Sequence, residues 1–378
     1  MTKKPKLLVV ADTYYPKVDG TLRFIEEFKR RADEFEVSLL VPNLGKRKGE
    51  KITYIKPSKI IHLSGYPSMK LTFKNFRLIK QAVKKTDLVF IQGPAAISYL
   101  ATRYGHKYKK KTIFYTHVLS WELIEKFMPT MVLKKFVFKF VKWVSVKFFN
   151  YCNEIIVPYQ DLKTELVKSG VKSKITVARL GVDIERFSPP HNQRESKKRV
   201  GIKSEKTVIG YVGRVSKEKN VQLLLEAFQK LEQQENLHLL IVGDGPKEMV
   251  KEFKKLKNCT LTGFVNNVQD YLRAMDIFVM PSLTETTSLA TLEAMSTGLP
   301  VIVTKVGYMK NYVIKDHNGI FFPKNSSNVL ALKIKKMINE PEYREKLGKN
   351  ARKTVAYSFS WERSINKIKR LLLKQYYS

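Results

Sequence analysis

Cysteine is nearly absent. Only Cys152 and Cys259 occur, far apart and in no CxxC or Cys/His grouping, so neither a disulfide framework nor a cysteine-based zinc site is expected and the compartment reads as reducing. Long apolar runs are missing as well: no uncharged stretch approaches the roughly 20 residues that span a bilayer. The run Leu7 to Ala11, behind the basic Met1 to Lys6, stops at Asp12 and is too short for a signal peptide. The expected location is cytoplasmic, with any membrane contact peripheral. Acidic residues are scarce, 34 Asp+Glu against 70 Lys+Arg, a formal net charge of +36 that points first to an acidic partner. Residues 51–150 hold 20 Lys/Arg and 3 Asp/Glu, a net of 20 − 3 = +17, so the N-terminal half carries most of the excess. A lysine-rich bias spread over solvated faces is the plainer alternative. No groove-reading motif or aromatic platform for single strands accompanies the charge, and nucleic acid is not an expected partner.

What is present is globular. The apolar fraction is 43%, and 378 residues suit two domains better than one core. Short apolar runs at Lys6–Ala11, Val37–Val41, Asp87–Ile91, Thr112–Tyr115 and Glu154–Val157 alternate with longer amphipathic stretches, one of them running from Leu22 to about Phe35. After a polar, proline-containing break within 183–206 the beat resumes at Thr207–Val212, Leu237–Val242, Cys259–Thr262, Ile277–Met280 and Pro300–Val303. Strands alternating with helices imply parallel sheets covered on both faces. The expected class is α/β, two doubly wound Rossmann-like domains in tandem, with ligands at the carboxyl ends of the strands.

Three segments carry candidate chemistry. In the run 281–295, Thr286 to Ser288 are good cap residues and Leu289 to Met295 good helix formers, so a helix is expected to begin between Glu285 and Glu293. Free N–H groups at such a helix start bind phosphate, and the flanking carboxylates can hold sugar and ribose hydroxyls; an ordinary capped helix is the alternative. At the end of an expected strand, Gly213 lets the chain turn near a ligand, while Arg214 and Lys219 offer a forked and a point-like cation to a diphosphate. Fixed cations of this kind stabilise the charge that develops on a departing nucleoside diphosphate. The run Gly243-Asp244-Gly245-Pro246 closes another strand and reads as a plain turn.

Taken in order, Gly213-Arg214 to Lys219, Gly243-Asp244-Gly245-Pro246, Gly263-Phe264, Pro281-Ser282 to Glu293-Ala294-Met295 and Gly298-Leu299-Pro300-Val301 resemble the second domain of glycosyltransferase family 4. Tyr14-Tyr15-Pro16 to Gly20 and Leu180-Gly181-Val182-Asp183 to Phe187 resemble its N-terminal glycine loop and its end-of-domain signature. The resemblance implies the GT-B fold, two Rossmann-like domains facing a central cleft. It divides the chain into an acceptor domain at 1–187, a donor domain at 188–358 and a helix at 359–378 that returns to the first domain. It also implies transfer with retained anomeric configuration from a UDP- or GDP-linked sugar, with no metal and no other cofactor. On the matching positions, Arg214 and Lys219 would bind the diphosphate beside Gly213 and the start Thr287-Ser288-Leu289, Glu293 the ribose, Glu285 the transferred sugar, and Gly20 the phosphate from the first domain. His117 in Tyr115-Thr116-His117 matches the histidine that the family places near the reacting sugar. Two departures stand out: Thr286-Thr287-Ser288 where the family usually has Gly-Phe-Gly, and Val306-Gly307-Tyr308-Met309-Lys310 where it usually has Gly-Gly-x-x-Glu.

The basic half also holds an aromatic helix. Laid at about 100° per residue, residues 131–149 put Leu133, Val137, Phe140, Val144 and Phe148 on one side, and Lys135, Lys139 and Lys142 with Phe136 and Trp143 on the other. Lysines beside exposed aromatics suit the interfacial layer of an anionic membrane, at the inner face of the cell membrane, and a lipid or lipid-linked acceptor follows as the expectation. A helix packed on two sides with snorkelling lysines is the alternative. A second basic stretch comprises Lys70, Lys74, Arg77, Lys80, Lys84 and Lys85. A soluble transferase with a small or polymeric acceptor, and a non-catalytic polyanion-binding module on the same scaffold, are the competing readings.

Overall fold

A computed structural model describes residues 3–16, 20–45, 51–63, 66–121, 133–231 and 236–378. The chain folds as two compact units, Met1–Arg179 with Glu362–Ser378, and Leu180–Trp361.

The first unit is built on a seven-stranded parallel sheet. Its strands are β1 (Lys6–Ala11), β2 (Glu36–Pro42), β3 (Ile52–Ile55), β6 (Leu88–Gly93), β7 (Lys111–Thr116), β8 (Glu154–Val157) and β9 (Lys174–Val177), in the order β3-β2-β1-β6-β7-β8-β9. A separate antiparallel pair, β4 (Pro57–Leu63) and β5 (Tyr66–Met69), precedes helix Phe73–Lys84. The central strands are near-continuous apolar runs because helices cover both faces: Leu7 to Ala11 and Leu88 to Ile91 are all buried. The C-terminal helix Trp361–Tyr377 belongs to this unit. It buries Ile365, Ile368 and Leu372, and Lys369 donates to Glu34 Oε1 at 2.8 Å and to the Arg31 carbonyl at 2.9 Å.

The second unit repeats the plan with six parallel strands: β10 (Thr207–Val212), β11 (Leu237–Val242), β12 (Cys259–Leu261), β13 (Ile277–Met280), β14 (Val301–Thr304) and β15 (Gly319–Phe322), in the order β12-β11-β10-β13-β14-β15. Both sheets thus run outward from their first strand in one direction and then in the other. The order reverses between β1 and β6 and between β10 and β13, and open parallel sheets of this kind bind ligands outside the carboxyl ends of the strands at such a reversal.

The units divide at 179/180, eight residues before the division at 187/188 read from the sequence. The reason is local. The Val182 N–H donates to the Phe359 carbonyl at 2.6 Å, Arg352 Nη1 donates to the carbonyls of Ile184 at 2.9 Å and Phe187 at 3.2 Å, and Ser296 Oγ donates to the Phe187 carbonyl at 2.7 Å. Residues 180–187 are therefore tied into the second unit, ahead of the polar break.

Candidate active site

The candidate donor residues of the second unit follow β10 and β13, the two strands between which its sheet order reverses. The turn after β10 depends on backbone crowding. The Gly213 N–H donates to the Val242 carbonyl at 2.9 Å, and the Val215 N–H to the Asp244 carbonyl at 2.8 Å. Gly243 has φ +147°, and a Cβ there would sit inside contact distance of the Gly213 carbonyl oxygen. The segment 243–246 is thus a close crossing beneath the β10 turn, a structural task that the plain-turn reading missed. The Tyr211 hydroxyl donates to the Arg214 carbonyl at 2.9 Å, fixing the turn from the strand side. Burial holds that phenol protonated, well above its ordinary pKa.

Lys219 reaches from this turn to the segment after β13. Its Nζ is 2.6 Å from Glu285 Oε1, and Ser282 Oγ donates to the same oxygen at 2.8 Å. The Glu285 side chain is only 7% exposed and that of Lys219 21%, so the pair is largely withdrawn from water. The Leu283 N–H donates to the Glu218 carbonyl at 2.9 Å, a backbone link between the same two segments. Arg214 stands differently: its side chain is 59% exposed and pairs with Glu218 at 2.9 Å, one turn along.

Helix Leu289–Ser296 begins, as expected, between Glu285 and Glu293, and Glu293 is buried on its second turn. The cap residue Ser288 adopts the left-handed region at φ +54°, ψ +78°, and its side chain does not cap the helix. Its hydroxyl instead lies 2.8 Å from Thr291 Oγ1. The Ser288 side chain thus leaves the first-turn N–H groups from Leu289 onward uncapped, and free N–H groups at a helix start can donate to an anion. The buried hydroxyls of Thr287 and Ser216 make no hydrogen bond to the described residues. Beneath the loop, the Tyr308 N–H donates to the Thr286 carbonyl at 2.8 Å and the Tyr312 hydroxyl to the Thr287 carbonyl at 2.8 Å. Gly307, at φ +55°, leaves no room for a Cβ against the Glu285 carbonyl. One glycine of the altered segment 306–310 thus performs a close approach.

In the first unit, Gly20 is half-buried as the first residue of helix Gly20–Arg31; residues 17–19 lie outside the described set. His117 follows β7, half-buried, with Nε2 2.9 Å from Gln92 Oε1. Desolvation lowers its pKa from 6.5 to about 4, so the ring is neutral at physiological pH. Asp12, at the end of β1, was not singled out in the sequence. It accepts from the N–H groups of Ile97 at 2.8 Å and Ser98 at 3.3 Å and from the Ser98 hydroxyl, capping helix Ala96–Lys107 from a neighbouring strand. Desolvation, opposed by these hydrogen bonds, raises its pKa from 3.8 to about 6.

Helix Leu133–Phe149 presents Lys135, Phe136, Lys139, Phe140 and Trp143 to solvent, with Phe136 81%, Phe140 60% and Trp143 61% exposed. Two placements differ from the helical wheel. Phe140, expected inside, is outside. Lys142, expected with the exposed set, turns inward: its Nζ is 3.7 Å from Glu165 and 5.5 Å from the Trp121 ring centroid. The packed face is instead Phe138, Val141, Ser145 and Phe149. Ser145 meets Tyr99 Oη at 2.9 Å and Ser120 Oγ at 2.6 Å, so a polar residue inside displaced the apolar stripe by about one position. No helix among the described residues is long and apolar enough to cross a membrane, and no group of three or more His, Cys, Asp or Glu among them could hold a metal.

Two doubly wound units in tandem define the GT-B architecture, and solved GT-B structures match almost the whole chain. Anabaena HepE in complex with UDP superposes with a TM-score of 0.78 at 18% identity, covering 98% of this chain and 100% of that one. A family model described as Glycosyltransferase Family 4 matches residues 18–186, and one described as Glycosyl transferases group 1 matches residues 192–354. The chain belongs to the family 4 glycosyltransferases. Among its relatives, an alpha-monoglucosyldiacylglycerol synthase of Acholeplasma laidlawii is 26% identical over 91% of this chain and 90% of that protein. An Escherichia coli UDP-Gal:alpha-D-GlcNAc-diphosphoundecaprenol alpha-1,3-galactosyltransferase is 30% identical over 53% of this chain and 54% of that protein.

Proposed function

We propose that this glycosyltransferase moves a hexose from a UDP- or GDP-linked sugar to a membrane lipid or lipid-linked acceptor, with retention of configuration and without a metal. The second unit takes the donor. Lys219 and Arg214 supply the positive charge that stabilises the leaving diphosphate, and the N–H groups at Thr287, Ser288 and Leu289 add fixed donors that need no reorganisation. In the free protein Lys219 and Glu285 neutralise one another. A bound donor takes over both, the cation going to phosphate and the carboxylate to sugar hydroxyls, while Glu293 holds the ribose. His117 and Gly20 act from the first unit, on the sugar and the phosphate. Because the cations perform the electrostatic work, no metal is required.

The acceptor reading rests on one observation: three solvent-facing aromatics, Phe136, Phe140 and Trp143, stand among Lys135, Lys139 and Lys147 on a single helix. Such a surface costs free energy in water and suits the headgroup layer of an anionic bilayer, which supports a peripheral site at the inner membrane face. Leu71 and Phe73, 69% and 95% exposed beside Lys70 and Lys74, add a second contact of the same chemistry. The lipid acceptors in the two relatives' names point the same way.

The test is a transfer assay with UDP- and GDP-linked hexoses, presenting diacylglycerol or an undecaprenyl diphosphate-linked sugar in neutral and in anionic vesicles. Glycolipid should form from one donor, faster with anionic lipid. Transfer to soluble sugars at an equal rate, with no lipid product, would replace this reading with that of a soluble transferase.

A further inference from the structure

Gln92 is 1% exposed, near the end of β6, in register with Ala11 on β1 and Tyr115 on β7. Register partners on adjacent strands share a face. Gln92 and Tyr115 therefore stand on the side covered by helix Gly20–Arg31, whose Phe24 ring lies 5.2 Å from that of Tyr115. His117, two residues beyond Tyr115, packs its ring 4.3 Å from Tyr115 and 6.0 Å from Phe24. Among the described residues the ring thus meets two uncharged rings and one carboxamide, while Asp12 is engaged with Ile97 and Ser98. The carboxamide has two ends. Oε1 faces His117 Nε2 at 2.9 Å, and Nε2 is buried without a hydrogen bond to any described residue.

We infer that Gln92 is a positioning residue for His117, holding the ring by its Nε2–H so that Nδ1 is left to accept a hydrogen bond from a substrate hydroxyl. An amide oxygen can only accept, so the ring nitrogen facing it carries the proton. A neutral imidazole has one proton, and Nδ1 is then the bare nitrogen. At the other end of the carboxamide, Gln92 Nε2 is a buried donor without a partner among the described residues. A bare ring nitrogen suits a hydroxyl, which has a proton to give, better than an ionised phosphate oxygen, which has none. This rests on the reading of His117 as a sugar-contacting residue and adds Gln92 to it.

Ring nitrogen NMR on ¹⁵N-histidine protein, with His117 assigned through His117→Asn, reads the tautomer without any donor present. The parent should show the Nε2–H form and titrate below pH 5. Gln92→Glu places a carboxylate against the ring and should raise the midpoint by at least about one pH unit. Gln92→Met, close in size and without an acceptor, should keep the melting temperature within a few degrees, expose the Nε2 proton to solvent exchange, and lower kcat at least tenfold with the donor KM little changed. An Nδ1–H ring in the parent, or an unmoved midpoint in Gln92→Glu, would overturn the inference. Both readouts hold whether or not the transferase reading does.

Discussion

Lys219 Nζ and Glu285 Oε1 meet at 2.6 Å, joining the turn after β10 to the segment after β13 through side chains that are mostly out of water. A withdrawn carboxylate that loses its cation costs about 3 kcal/mol. Lys219→Ala should therefore lower both turnover, by about 10²–10³, and melting temperature. Glu285→Gln keeps the Ser282 hydrogen bond and should lose turnover with a smaller stability loss. In the double variant the stability loss should shrink below that of Lys219→Ala alone, because no buried charge remains uncompensated. Urea unfolding of the four proteins measures this, and strictly additive losses would show that the pair is not coupled.

Two glycines with positive φ test the crossing beneath that turn. Gly263, at φ +69°, has open space where a Cβ would go, whereas a Cβ on Gly243 would run into the Gly213 carbonyl. Gly263→Ala should cost about 1 kcal/mol of backbone strain. Gly243→Ala adds a collision with backbone that cannot swing away, and should cost about 3 kcal/mol or more along with donor affinity. Equal denaturation midpoints for the two variants would mean that the crossing tolerates displacement.

The strands that the sequence reveals most plainly are the central ones, covered on both faces. Leu7 to Ala11, Thr207 to Val212 and Leu237 to Val242 are continuous apolar runs and stand where the reading placed them. β3, β9 and β15, each a four-residue strand at a sheet edge, escaped it although the equally short β8, β13 and β14 and the edge strand β12 did not, and the β4–β5 pair lies outside both sheets. At the site, the helix start between Glu285 and Glu293 was legible from cap residues followed by helix formers. The left-handed backbone of Ser288 was not, since nothing about a serine announces it. Gln92 and Asp12 were hidden for another reason: a lone polar residue closing an apolar strand looks like the strand's end. Their partners, His117 and the helix at Ile97, are 25 and 85 residues away.

The aromatic face of helix Leu133–Phe149 separates anchoring from charge. Phe136→Ser with Trp143→Ser should reduce partitioning onto anionic vesicles at least about tenfold by removing buried apolar area, and the loss should persist in high salt. Lys135→Glu with Lys139→Glu should lose binding at low salt, at about 1 kcal/mol per charge. Lys142→Ala should change little, since Lys142 is engaged with Glu165 and Trp121. Flotation across a salt series checks all three. A Lys142 effect as large as that of the Lys135/Lys139 pair would mean that the whole lysine set, and not the exposed face, meets the lipid.

Asp12 and His117 end β1 and β7 with pKa values displaced in opposite directions, from 3.8 up to about 6 and from 6.5 down to about 4, both chiefly by desolvation. Between about pH 4 and 6 the folded chain keeps a proton on Asp12 that the unfolded chain has released, so this group's contribution to stability falls as pH rises. Over about pH 4 to 6.5 the unfolded chain carries a proton on His117 that the folded chain has lost, so that contribution rises with pH. The two slopes oppose one another across the same window, and the stability of the first unit should be nearly flat through it. Removing either group should uncover the other: Asp12→Asn should gain stability steadily from pH 4 to 6.5, and His117→Asn should lose it from pH 4 to 6. Urea unfolding at half-unit pH steps, followed by the fluorescence of Trp121 and Trp143 in that unit, gives the slopes directly. If both variants show the same slope as the parent, the two groups do not titrate as their surroundings dictate.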